Sequence, residues 1–228
     1  MSYHLYITSK NYSSWSIRPW LLMKQLSLAF EEKFHPLAPG SGFRQPQWKE
    51  FSPVCHVPCL HYHPTPESEP IVLWESVAIV EAWARSAVAV MHAGFGTIRQ
   101  EMGMNVSLRV RLEDEAFNEG IVKELKRVNE LWEEGLTKFG GPFLAGKEFG
   151  AVDAFFAPVA LRLGTYLGAK ERYLGEKAQK YLEAINDLEG VKEWVSAAVK
   201  EKERHEPHER ENVEGPGRVL IKDLRVEK

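Results

Sequence analysis

Tyr3-His4-Leu5-Tyr6-Ile7, followed after a polar turn by Asn11-Tyr12-Ser13-Ser14-Trp15-Ser16-Ile17-Arg18-Pro19-Trp20, decides how this chain begins. The first stretch is β-prone and predicts a strand. The second runs from hydroxyl-rich residues into apolar ones at three-to-four spacing. It predicts a helix over residues 16–28, with Pro19 tolerated only in the first turn. Phe30 to Leu37 predicts a short extended stretch. His56 to His63 predicts another, interrupted by Pro58, and Ile71 to Trp74 a third. Glu75-Ser76 then launches a helix from Val77. A βαβ start with a proline-interrupted strand predicts a thioredoxin-like, α/β domain over residues 1–84.

Residues 85–228 predict an all-helical second domain. Glu113 to Phe139 carries Ala116, Phe117, Ile121, Leu125, Val128, Leu131, Trp132 and Leu136 at a period near 3.6. Ala151 to Leu167 is apolar nearly all round and reads as a buried central helix. Gly150 precedes it, and Asp153 stands where a carboxylate can satisfy free N–H groups. Tyr173 to Ile185 and Val191 to Val199 predict two more helices. Arg109 and Arg111 read as helix surface, and the charge run Lys200 to Glu211 as a solvated tail. Arg218 to Val226 is either a strand or a loose end.

Composition removes several function classes. The chain has 228 residues and is 44% hydrophobic, so it can bury a sizeable core. Lys and Arg number 29 against 32 Asp and Glu, a net charge of −3. That gives no whole-molecule attraction to nucleic acid or an anionic membrane. The longest apolar run, Ala154 to Leu161, is far shorter than the roughly 20 residues of a membrane span. The N-terminus carries no secretory pattern, so a cytoplasmic location is expected. Two cysteines exclude a disulfide framework and a Cys-rich zinc module. Cys55 and Cys59 are spaced as buried thiols rather than a redox pair. His56, His61 and His63 lack acidic or Cys partners at ligand spacing, so no metal is expected.

Three short segments can carry chemistry. Ser13, Ser14 and Ser16 stand at a strand-to-helix turn, which offers free N–H groups and the positive end of a helix dipole. A hydroxyl held there either caps the helix or donates to an anion such as a thiolate, lowering the thiol's pKa. Pro58 sits either on a plain edge strand or in a cis bond that frees the Val57 N–H and C=O for an extended ligand. Glu75 and Ser76 either cap the next helix or hold a ligand bearing carboxylate and ammonium groups.

Each signal is ordinary alone; their order is not. Ser-Ser-Trp-Ser-Ile-Arg-Pro-Trp, Ser-Pro-x-x-x-Val-Pro-x-Leu and Trp-Glu-Ser-Val-Ala-Ile-Val-Glu resemble the glutathione transferase superfamily. Met91-His92-Ala93-Gly94-Phe95, Phe143-Leu144-Ala145-Gly146 and Asp153-Ala154 extend the resemblance over most of residues 3–200. It is nearest to serine-type, zeta-like (maleylacetoacetate isomerase-like) and related microbial and fungal members. It implies a thioredoxin-like domain that binds the co-substrate glutathione, and an all-helical domain that holds a small electrophile. The catalytic hydroxyl would be Ser13 or Ser14, with Ser13 slightly favoured. Ser16 and Arg18 would assist, Val57 and Pro58 would hold the cysteinyl part, and His56 would lie near the glycyl end. Glu75 and Ser76 would hold the γ-glutamyl end. Met91, Phe95, Arg99 and Met102, on one long helix, would form the electrophile wall unless they are simply core.

The resemblance implies a detoxifying transferase, usually a homodimer. Two other activities compete with it. One is glutathione-dependent isomerisation of a dicarboxylic substrate, using Arg18 and Arg99. The other is a non-catalytic protein-binding module. The sequence departs from the family in two places. The junction between the domains is shortened near Glu81, and Gly150 replaces the usual Ser or Thr cap.

Overall fold

Residues 2–38, 44–63, 65, 68–74 and 91–226 are described by the computed structural model. Strand β1 (Ser2–Ile7) is followed by helix α1 (Ile17–Gln25) and strand β2 (Glu31–Phe34). β1 and β2 pair in parallel, with His4 opposite Glu31 and Ile7 opposite Phe34. Parallel pairing needs a crossover, and α1 supplies it. Strands β3 (Cys59–His63) and β4 (Ile71–Leu73) add antiparallel, giving the order β2-β1-β3-β4. Leu5 and Ile7, two residues apart, point into the core as a period of two requires. Ser27, at φ +53, ends the helical path before residue 28. The expected thioredoxin-like domain is present. Its boundary at 84/85, the helix from Val77 and the junction near Glu81 lie outside the described residues.

α1 is buried from Ile17 to Met23. Trp20 anchors it on two sides: its indole N–H donates to Glu32 at 2.7 Å, and its ring meets Trp194 at 5.1 Å. A 3-10 turn, Pro46–Glu50, sets Trp48 into a second small core with Phe51 and Cys59.

The second half is chiefly helical. It contains α2 (Gly96–Glu101), α3 (Glu119–Phe139), α4 (Ala151–Thr165), α5 (Ala169–Tyr173), α6 (Glu176–Asp187), α7 (Glu189–Val199) and α8 (Glu206–Val213). α3 begins later than the period predicted because Asp114–Ala116 is a 3-10 turn, and Asn118 caps the helix by accepting from Ile121 N at 2.9 Å. Gly140 closes it at φ +66, a conformation favourable to glycine. α4 is buried almost throughout, as its composition required.

Three expectations are corrected here. Leu108–Leu112 is a strand, β5, so Arg109 and Arg111 stand on a sheet rather than a helix. It pairs in parallel with β6 (Tyr166–Leu167) and antiparallel with β7 (Arg218–Asp223), which resolves the open reading of the C-terminal segment as a strand. The charge run is not a free tail: half of it forms α8. Met91 to Met102 is not one helix. Phe95 adopts φ +59 and separates α2 from the helical turn at residues 91–93.

Asp153 replaces the missing side-chain cap from below. Its two oxygens accept from Leu144 N at 2.9 Å and Gly150 N at 2.8 Å, while it is fully buried. Burial pushes its pKa up, and the two backbone donors oppose that. Asp153→Ala would orphan both N–H groups and should cost about 3 kcal/mol in urea-induced unfolding. A loss below about 1 kcal/mol would show that water replaces the carboxylate at no great cost.

Candidate functional site

The β1–α1 corner folds tightly because its hydroxyls bond to one another. Ser13 Oγ donates to Ser16 Oγ at 2.8 Å and accepts from Ser16 N at 3.1 Å. Ser16 Oγ accepts from Thr8 N at 3.4 Å, and Ser13 N donates to Ser9 O at 2.9 Å. Ser13 and Ser16 are therefore spent on the corner itself. Ser14 differs. Its N–H donates to Tyr12 O at 3.2 Å, but its hydroxyl makes no hydrogen bond among the described residues. Spacing alone could not separate the two serines; both are buried, and they differ in that the Ser13 hydroxyl is bonded to Ser16.

The Val57–Pro58 peptide is cis. Val57 is half-buried, and its N–H and C=O have no partner among the described residues. His56 is exposed, with its N–H donating to Ser52 Oγ at 3.2 Å. Glu75 and Ser76 lie outside the described residues.

Arg18 is not at a surface. It is 1% exposed, its guanidinium packed over the rings of Trp15 at 4.5 Å and Phe155 at 4.9 Å. Nη2 donates to Met91 Sδ at 3.4 Å, while Nε and Nη1 have no partner among the described residues. Burial, with repulsion from Arg162 and Arg99, lowers its pKa to about 9. Met91, Phe95 and Met102 are in the main hydrophobic core, so of their two readings the structure places them as packing residues. Arg99 is half-buried and donates to the carbonyls of Gly94 and Met91.

Pattern reading missed the residues that hold the corner from outside. Glu201 accepts from Ser9 Oγ and Lys10 N, both at 2.6 Å, and from Asn11 N at 3.5 Å. The Tyr12 hydroxyl donates to Glu209 Oε1 at 2.6 Å. Arg225 grips the same carboxylate with two bonds of 2.7 Å and also holds Asp223. Burial, then the bond to Glu209, raises the Tyr12 pKa to about 12, so this phenol stays protonated. The only advance signal was the clustering of Glu and Arg near the C-terminus, which also describes a solvated tail.

Between the corner and this C-terminal segment lies a cavity of about 880 Å³. Tyr12, Phe34, Pro36, Leu37 and Trp48 form its apolar side, and Glu201 with residues 203–207 its other wall. It adjoins the serine turn through Ser9 and Tyr12. It is not the Met91-to-Met102 wall expected for an electrophile.

Among the described residues, no group of three or more His, Cys, Asp or Glu is placed to hold a metal. His61 Nε2 lies 2.7 Å from Phe51 O, and His63 Nδ1 lies 3.3 Å from Ser68 O. Both cysteines are free thiols, and burial pushes the Cys59 pKa up to about 11. No described helix is long and apolar enough to cross a membrane.

Comparison with known proteins gives these features a frame. A family model described as "Glutathione S-transferase, N-terminal domain" matches residues 12–86, which include the serine turn and the cis-proline strand. No curated protein matches the chain significantly. Solved glutathione transferases share its fold. An Omega 3C enzyme from Trametes versicolor is 16% identical, with TM-score 0.58, covering 90% of this chain and 91% of its own. A transferase from Burkholderia graminis with two bound glutathione molecules per subunit is 16% identical, with TM-score 0.59, covering 88% and 90%. Ure2p in complex with glutathione is 15% identical, with TM-score 0.58, covering 86% and 94%. The fold is that of the glutathione transferases, a thioredoxin-like sheet domain joined to a helical region.

The Arg225–Glu209 clamp generates a test. Burial works to raise the Glu209 pKa, but hydrogen bonds from Arg225 and Tyr12 outweigh it and hold it below 4.5. A carboxylate depressed in the fold contributes stability above its unfolded pKa and loses it as pH falls through the folded one. Arg225→Ala should therefore destabilise by roughly 2–4 kcal/mol at pH 7, because it leaves a part-buried carboxylate without its partner. Urea midpoints of wild type and variant should converge as pH falls from 7 to about 3. A constant gap would show that Arg225 acts through packing alone.

Proposed function

We propose that this chain is a glutathione transferase that uses a serine hydroxyl to keep the glutathione sulfur ionised for attack on a small, largely apolar electrophile. The observation that carries this reading is the pairing, in a fold shared with glutathione complexes, of a hydroxyl-lined corner and an open peptide before a cis-proline. On this reading Ser14 is the thiolate donor, since its hydroxyl is uncommitted. Ser13 and Ser16 build the turn that presents it. The Val57 N–H and C=O pair with the cysteinyl residue, Pro58 shapes that edge, and His56 stands toward the glycyl end. Glu75 and Ser76 hold the γ-glutamyl end.

The energetics are within reach of these groups. Lowering a thiol pKa of about 8.5 by roughly 2 units needs about 2.7 kcal/mol in favour of the anion. One hydroxyl donated to a charge supplies about 1.5–3 kcal/mol, and the N-terminus of α1 adds up to about 1. The thiol proton leaves to solvent. The thiolate's electron pair then forms the new C–S bond as the electrophile's leaving group departs. The second substrate occupies the cavity beside Tyr12 and Trp48. The enzyme is further proposed to work as a homodimer in the cytoplasm, in detoxification.

The isomerase alternative draws less support. It needs cations facing a dicarboxylic substrate, and Arg18 is buried while Arg99 is bound to carbonyls.

Ser14→Ala and Ser13→Ala distinguish the serines. Ser14→Ala should lower kcat for an aromatic electrophile by about 100-fold with little change in glutathione affinity, the signature of a lost charge-stabilising donor. Ser13→Ala should act mainly on stability. Full turnover in Ser14→Ala would overturn the assignment. Retention of the wild type on immobilised glutathione with no conjugation would favour the binding-module reading instead.

A further inference from the structure

The cavity's two walls differ in charge. Tyr12, Phe34, Pro36, Leu37 and Trp48 offer aromatic and aliphatic surface. The facing segment contributes Glu203 and Glu206, with Glu201 already bound to the Ser9–Asn11 donors, against Arg204 and His205, and His35 lies on the opposite wall. Arg204 already faces Asp223 at 3.5 Å, so its charge is partly offset. No lysine lines the cavity among the described residues. Lys10, close by in sequence, is paired with Glu32 at 2.8 Å. Glu203 and Glu206 are exposed, and the contact of Glu206 with Arg210 is a loose 3.9 Å. A cleft with an apolar wall and an excess of one sign of charge on its rim biases the potential met by whatever enters.

We propose that this cavity selects neutral and cationic aromatic ligands and rejects carboxylates. The inference rests on the transferase reading only where it calls that ligand the electrophile; the charge selectivity is a property of the cavity. Its chemistry follows from the two walls. The exposed ring of Phe34, with Pro36 and Leu37, provides apolar contact area, and Glu203 and Glu206 attract a cation and repel an anion at the entrance. An electrophile that carries its own carboxylate meets one guanidinium among the lining residues, Arg204, which already faces Asp223.

Two probes with one aromatic body and opposite charge test this: naphthylmethylammonium and naphthylacetate, titrated calorimetrically into the full chain. At low ionic strength the ammonium should bind about tenfold more tightly, and the ratio should fall toward one near 0.5 M salt, where screening is strong. Glu203→Gln/Glu206→Gln, at two exposed positions, should narrow the ratio at least about threefold while leaving the fold intact. Equal or reversed affinities, a ratio indifferent to the double variant, or failure of both probes to bind would each overturn the proposal. Glutathione is titrated separately. If it fails to bind while the charge selectivity persists, the transferase reading falls and this one stands.

Discussion

The turn between β1 and α1 exposes a run of backbone donors that its own sheet and helix cannot satisfy, and a carboxylate from far along the chain satisfies them. Glu201 takes Lys10 N and Asn11 N together with the Ser9 hydroxyl. Trp194 reinforces it by donating its indole N–H to Lys10 O at 2.6 Å, and Asn11 Oδ1 accepts from Ser107 N and Oγ. The corner is thus one of the places where the two halves of the molecule are tied, beside the packing of α1 on α4 and α7. Buried N–H groups left unpaired each cost on the order of 1–3 kcal/mol. A corner without these partners would open, and the serine geometry depends on its staying closed.

That dependence explains what was legible in the sequence and what was not. Strands and helices set by local period were legible: β1, α1, α3 and α4 follow from alternation, three-to-four spacing or unbroken apolarity. The tail was not. Lys200 to Glu211 has the composition of a solvated segment, and its role lies in pairings across some 190 residues, such as Glu201 with Ser9, which no local pattern encodes. β5 is a different failure. Leu108, Val110 and Leu112 alternate with Arg109 and Arg111 in a clean period of two, but the acidic residues that follow drew the reading toward a charged helix face. The second sheet went unseen for want of reading five residues by their own rhythm.

At the site, residue types were legible and orientations were not. Serines before a helix and a proline in a β-prone stretch announced the two segments. Which serine is left without a hydrogen bond depends on the backbone turn between Tyr12 and Ser16, where Ser13 and Ser16 bond to each other. The Met and Phe stripe illustrates the converse. Such residues suit either a pocket or a core, and Phe95 in the left-handed region turns the segment so that Met91 and Met102 pack inward.

Arg18 connects core and corner. A buried guanidinium with two nitrogens lacking partners among the described residues costs stability, offset here by stacking on Trp15 and Phe155 and by the contact with Met91 Sδ. With a pKa near 9 it is still largely charged at pH 7. It lies four residues beyond Ser14 and within α1, so its field adds to that of the helix N-terminus. In a poorly polarisable interior, screened little by salt, that charge acts over a longer range than it would in water. The corner thus stands between a buried cation within α1 and two carboxylates, Glu201 and Glu209, that bind it from the C-terminal segment.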